Sequence, residues 1–366
     1  MDGKTKKILL TVAGVFVVII ILLFIVSSCS NKKFKFEKFQ DDMVKAAKSY
    51  YKKNEDSLPK EDGETKTITI SELINSGNLK DPAVTYKKSG ISCDGSVTVL
   101  NNDGFYVYTP SATCGKDFRT TLLIDKIQED SLVETGVGLH KVGEELIYKG
   151  EINNNFVKIN GNDKLFRIIK VNADGSFRLI EVKGLDNEVW DDRYNPTRSD
   201  STGINDYMAN DLNSRIKDRL ASYYNDSSVW TDDIKAYVLT QKLCIGKRSE
   251  SDTTKDGSTE CSVLLDNQKL GLLNVYEFLQ TSLDENCNST EAVACQNYNW
   301  LADNSFKRLW TITGDADNTH KVYWKSSSIS KTNASASKII YSVINIPKTV
   351  IATKGNGTEG DPYIIK

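Results

Sequence analysis

CDGSVTVLNNDGFYVYTPSATC, residues 93–114, is the stretch whose reading decides the fold. Val97–Leu100 and Tyr106–Tyr108 are runs of β-branched and aromatic residues that read as extended segments. Between them Asn101-Asn102-Asp103-Gly104 supplies the left-handed turn residues that a tight hairpin needs. Cys93 and Cys114 stand at the open ends of that hairpin, where a crosslink would add roughly 3 kcal/mol against unfolding.

The other cysteines repeat the pattern. Cys244 with Cys261 and Cys287 with Cys295 each bracket a Gly-, Ser- or Asn-rich stretch, and Cys29 is left over. None of the spacings is a CxxC metal pair, so the six are read as three local disulfides formed in an oxidising compartment, with reduced structural cysteines as the alternative.

Working toward the N-terminus, FKFEKFQDDMVKAAKSYYKKN places Phe36, Phe39, Met43, Ala47 and Tyr50 at steps of three and four. That spacing predicts an amphipathic helix, ended by Leu58-Pro59, which buries the stripe under a small sheet. Its polar face mixes acids with bases, which fits a membrane-surface helix poorly. Lys60–Lys66 is expected as a loop, Ser71 as the cap of a short helix closed by Gly77, and Val84–Tyr86 as a strand.

Further upstream, Ile8–Val26, ILLTVAGVFVVIIILLFIV, carries no charge. Its length suits a hydrocarbon layer of ~30 Å, beyond a signal-peptide core of ~7–15 residues. Residues 1–33 are therefore read as a transmembrane anchor or a lipoprotein-type signal. Val26-Ser27-Ser28-Cys29 resembles the lipobox of bacterial lipoproteins, which makes Cys29 the candidate for lipidation. Lysines flank the run on both sides, Lys4, Lys6 and Lys7 before it and Lys32, Lys33, Lys35 and Lys38 after it. Charge alone thus leaves the orientation open, and the paired cysteines favour an extracytoplasmic chain.

An apolar helix continuing into an amphipathic one, followed by this hairpin, resembles the pilin-like proteins of low-GC Gram-positive bacteria over residues 34–125. The motif residues are Cys93, Gly95, Val97, Tyr106, Tyr108, Pro110 and Cys114. The resemblance implies a small pilin-like α+β domain. The Gly-Phe-Thr-x-x-x-Glu signature of prepilins is replaced here by Met-Asp-Gly-Lys-Thr-Lys-Lys, so prepilin processing is not implied.

Residues 126–139 read as a linker. Beyond it ELIY, NFVKIN, KLFRIIKV and SFRLIEV are strand-like, with Asn172–Gly175 as a hairpin turn. Leu212, Ile216 and Leu220 have helical spacing, and Lys247–Glu260 looks exposed and low in complexity. LGLLNVYEFLQTS passes from strand to helix, then come Trp300, Trp310 and the strands KVYWK, KIIYSVINI and TVIAT, before GNGTEGDPYIIK. This order resembles bacterial surface domains of C-type-lectin-like architecture, shared by the formylglycine-generating enzymes, over residues 140–366. The resemblance implies a C-terminal C-type-lectin-like α+β domain. The activity of those enzymes does not carry over, because the cysteines here are read as paired within loops.

Composition narrows function. With 47 Lys plus Arg against 49 Asp plus Glu, no overall field would attract nucleic acid. His140 and His320 lack partners at metal spacing, and neither a Gly-x-Ser-x-Gly elbow nor HExxH occurs. Asp186, Glu188, Asp191 and Asp192, and again Asp315, Asp317 and Asn318, lack regular calcium-loop spacing and read as solvated charge. No metal, cofactor or catalytic residue is expected. The candidate ligand-binding residues are Trp190, Asp191, Asp192, Arg193, Tyr194, Trp300, Trp310 and Trp324, provided the aromatics face one groove rather than the core.

The expectation is a single-pass cell-membrane protein, extracytoplasmic in bulk, presenting a non-catalytic recognition domain for adhesion to a glycan or protein ligand. A structural minor pilin-like component of a secretion or pilus apparatus and a surface hydrolase are the alternatives.

Overall fold

Residues 34–85, 91–195, 198–199, 202–209 and 212–366 are described by the computed structural model. The apolar run Ile8–Val26 and Cys29 lie outside the described residues. Among the described residues no helix is long and apolar enough to cross a membrane. The chain is α+β, with two separate apolar cores.

The first core forms where helix α1 (Phe36–Lys53) lays Phe39, Met43, Ala46, Ala47 and Tyr51 onto an antiparallel sheet. Burial of each large side chain in that stripe stabilises by roughly 1.5–3 kcal/mol. The buried tyrosine is Tyr51, and Tyr50 packs edge-on beside it. The sheet has the order β1 (Thr65–Thr69), β2 (Cys93–Asn102), β3 (Phe105–Cys114) and β4 (Phe118–Arg119). Cys93 lies directly opposite Cys114 in the β2–β3 register, and the two form a disulfide. The glycine of the Cys-x-Gly-x-Val motif has a physical reason: a Cβ on Gly95 (φ +146°) would stand 2.0 Å from the Ser111 carbonyl oxygen across the hairpin.

Three local expectations change. Strand β1 begins inside the expected Lys60–Lys66 loop and adds an edge to the hairpin. Helix α2 (Ile70–Asn75) is capped by Thr69, not Ser71, because Thr69 and Glu72 close a reciprocal capping box. Pro82–Thr85 is a helical turn opened by Asp81, which accepts from the Ala83 N–H at 2.8 Å, and not the beginning of a strand.

The expected linker is a packed element. Helix α3 (Leu123–Ser131) buries Leu123 and Ile127 in the second core, and β5 (Gly138–Val142) pairs with β6 (Glu145–Lys149). The apolar spacing of Leu123 and Ile127 outweighs the polar residues between them.

β6 joins the large sheet through β8 (Leu165–Val171), which lies between β7 (Phe156–Ile159) and β9 (Phe177–Glu181). β8 and β9 are buried on both faces, as the near-continuous apolar runs of their sequences require. The short strand β10 (Asn187–Val189) leaves this sheet for a second one. Helices α4 (Arg215–Asn225, capped by Ser214) and α5 (Asp232–Lys235) follow, then the ribbon β11 (Gln241–Cys244) and β12 (Leu264–Gln268), then α6 (Val275–Gln280). β13 (Leu309–Gly314), β14 (Lys321–Lys325), β15 (Ile329–Asn333) and β16 (Ser337–Ile339) complete the second sheet, in the order β10-β16-β13-β14-β15. β17 (Val343–Ile346) returns to pair with β9. β18 (Ala352–Lys354) and β19 (Tyr363–Ile365) extend the far edge, β19 running parallel to β7.

The cores are docked on each other through the β2–β3 turn. The Asn102 side-chain amide, itself buried, donates to the carbonyls of Ala236 at 2.8 Å and Val238 at 2.9 Å, just past α5. On the α1 side, Lys366 pairs with Asp41.

Candidate functional site

The expected aromatic groove is not where ligand can reach it. Trp190, Trp300 and Trp310 are at most 1% exposed. Each indole N–H is spent on a backbone carbonyl: Trp190 on Thr311, Trp300 on Tyr148 and Trp310 on Glu188. These three clamp strands together as core residues, and the reading of them as ligand-stacking rings is corrected. Trp324 is half-buried, and the Lys338 ammonium covers its ring at 3.9 Å from the centroid.

The charges beside Trp190 are structural too. Asp191, almost fully buried, accepts from Arg193 Nε at 2.9 Å and from its backbone N–H at 3.0 Å, while Asp192 pairs with Arg215 of α4. The Tyr194 side chain lies outside the described residues. The loop from 190 is thereby knotted onto the start of α4, where Ile216 donates to the Trp190 carbonyl.

What the fold does gather is a set of loops around Arg248, in a stretch that looks exposed from its Ser, Asp and Thr content. The Arg248 side chain is 0% exposed. Its guanidinium makes a two-pronged contact with the equally buried Glu260, at 3.2 and 3.0 Å, and donates from Nε to Thr290 Oγ1 at 2.7 Å. It also reaches the Thr254 carbonyl. Glu260 takes a further bond from the Tyr276 N–H at the start of α6, 3.1 Å. The Arg248 backbone pairs with Gly314 and Ala316, and its carbonyl accepts from Tyr323 Oη at 3.2 Å. One planar cation with its donors fixed in a fork thus ties the loops 249–260, 284–297 and 314–318 to the sheet.

Two disulfides, Cys244–Cys261 and Cys287–Cys295, close the first two of those loops. On the outer side of the hub, Ser249 Oγ donates to Asp317 at 2.9 Å, and Lys331 reaches Glu250 at 2.6 Å and Asp315 at 3.5 Å. Burial and the nearby Glu250 carboxylate hold Glu291 above the usual carboxylate range, while the Lys331 bond pulls Glu250 below it. The balance here is acidic: Glu250, Glu291 and the buried Asp315 lie around Lys331, and the exposed Asp317 lies beside Glu250.

Among the described residues no group of three or more His, Cys, Asp or Glu is arranged to hold a metal ion. His140 bonds the Gly136 carbonyl, and His320 meets Thr202 and the Gly203 carbonyl across the loop. The remaining buried charges are engaged inside the core. Arg178 pairs with Glu277 and donates to Gln241 at 3.0 Å. Arg167 lies over the Phe156 and Trp300 rings, 4.6 and 4.2 Å from their centroids, and bonds Asp303. Lys164 joins Glu181 and Tyr223. Sequence reasoning missed the Arg248 hub because the polar stretch that holds Arg248 and Glu260 reads as solvated until Thr290, Gly314 and Tyr323, all distant in the chain, close over it; the Cys244–Cys261 bracket was the one local signal.

No protein-family model, curated protein or solved structure matches the chain.

Proposed function

We propose that this is a membrane-anchored extracytoplasmic protein whose second core presents the Arg248 loop face as a non-catalytic recognition surface for a protein or glycan. The Arg248 hub carries the reading. A buried, fully bonded guanidinium and two disulfides hold solvent-facing loops in one arrangement, and loops ordered in advance lose little entropy when a partner binds. The pilin-like and C-type-lectin-like resemblances support the same layout, an anchor and stalk below and a display domain above. The acidic balance around Lys331 favours a partner with a basic surface.

A second reading, a structural pilin-like subunit, is favoured by α1 lying along the hairpin sheet, with Phe36 stacked on Phe118 and Phe34 edge-on to it at the start of the helix.

The test has two arms. Protease added to intact protoplasts carrying the full chain is expected to trim it; a protected chain overturns the topology. A screen of basic proteins and glycans against the full chain in nanodiscs is expected to give ligands lost on Glu250→Lys/Asp317→Lys. Ligands unaffected by that change would move the surface elsewhere, and specific crosslinks between copies along α1 would favour the filament subunit.

A further inference from the structure

The strongest unassigned feature is a groove of about 680 Å³ between α1 and the segment that follows α2. Lys35, Lys38, Lys45 and Lys80 line it, against Asp42, the one carboxylate among the described lining residues, which Lys38 engages at 3.0 Å. Its floor is apolar, formed by Phe39, Ala46 and Leu79. The other acids of this helix face elsewhere: Asp41 pairs with Lys366 and Glu37 with Lys354. Lys35, Lys45 and Lys80 are exposed. A cationic rim over an apolar floor suits a ligand with phosphate oxygens at one end and hydrocarbon at the other.

The place of the groove in the chain selects among such ligands. Eight residues separate Val26, the end of the apolar run, from Lys35, and eight extended residues span at most about 28 Å. If the run sits in a bilayer, the groove is tethered within that distance of the headgroups. Lysines held near an anionic leaflet gain electrostatic attraction that decays within a Debye length of ~10 Å.

We infer that the Lys35–Lys38–Lys45–Lys80 groove binds the headgroup of an anionic phospholipid in the membrane that holds Ile8–Val26. The inference rests on the anchored reading given above. A lipid held there would set the tilt of α1, and with it the height at which the second core stands.

Lysine acetylation of the full chain in nanodiscs, read residue by residue by mass spectrometry, tests this. The discs are of phosphatidylcholine alone or with phosphatidylglycerol, and exposed Lys141 and Lys183 serve as internal references. The expected result is about fivefold slower labelling of Lys35, Lys45 and Lys80 in the phosphatidylglycerol discs, abolished at high salt. In Lys45→Gln/Lys80→Gln the protection of Lys35 should fall while the chain stays in the discs. Equal labelling in both disc types, with the chain retained, overturns the groove assignment and leaves the anchor standing. Equal protection by inorganic phosphate in phosphatidylcholine discs assigns the groove to a free anion and overturns the lipid. A chain that leaves the discs overturns the anchored reading and this inference with it.

Discussion

The Asn102 side-chain amide meets the Val238 carbonyl at 2.9 Å inside the seam between the two cores. The same nitrogen also serves Ala236 at 2.8 Å, so one turn residue of the first sheet bonds two carbonyls just past α5, that of Val238 being shared with Lys269 Nζ at 3.4 Å.

Asn102→Ala should therefore cost about 2 kcal/mol, the penalty for removing the donor from a buried acceptor. All five tryptophans lie in the second core region, from Trp190 onward. Their fluorescence and far-UV circular dichroism should report one shared urea transition in the parent and separate transitions in the variant. Coincident, unshifted transitions would show that the cores dock without this residue.

Arg248→Met leaves the Glu260 carboxylate in the interior with no counter-charge, at a cost of about 3–5 kcal/mol. Adding Glu260→Gln should recover a large part of that loss. A double-mutant cycle by denaturant midpoint measures it, and strictly additive losses would mean that the two side chains do not act as a unit.

Removing the Cys244–Cys261 bridge, whose ends are 17 apart in sequence, should lower stability by about 3 kcal/mol and open the loop between them to limited proteolysis. An unchanged melting temperature in Cys244→Ala/Cys261→Ala, with no new cleavage between residues 249 and 260, would contradict the clamp.

Lys325 is buried, and its ammonium donates to the carbonyls of Asp303 at 2.6 Å and Phe306 at 2.7 Å. Burial pushes the amine down to about 8. In the unfolded chain the amine keeps its proton up to its ordinary range near 10.4, so between these values the unfolded state holds more protons and stability rises with pH. Relative to Lys325→Met, the parent should gain stability between about pH 8 and pH 10, by at most ~3 kcal/mol. Parallel stability curves for the two proteins would refute the shift.

How much of this could be read from the chain depends on how local each cause is. The α1 stripe through Phe39 and Met43, the Asn101–Gly104 turn and the three cysteine pairs depend on neighbours within a few turns or one hairpin. The Arg248 hub does not: its side-chain partners Glu260 and Thr290 come from two loops and its backbone partner Gly314 from a strand, so the polar composition of Lys247–Glu260 suggested solvent. The tryptophans failed for a related reason. An aromatic residue looks the same in a core as in a groove until its N–H acceptor is known, and Thr311, Tyr148 and Glu188 lie far from the rings that use them. Helix α3 was legible in its Leu123 and Ile127 spacing, but its polar second half, Gln128 to Ser131, resembled a connector.

β19 enters the large sheet between β7 and β18, with Tyr363 opposite Val157 and Ile365 opposite Ile159. The sheet therefore keeps an unfilled slot until Tyr363–Ile365 has been translated, since no earlier described segment supplies that strand. Pairing so remote in sequence is slow to form. A polypeptide crossing a bilayer while it is being made would travel with this sheet unsealed, and would close it only once translation of the strand was complete.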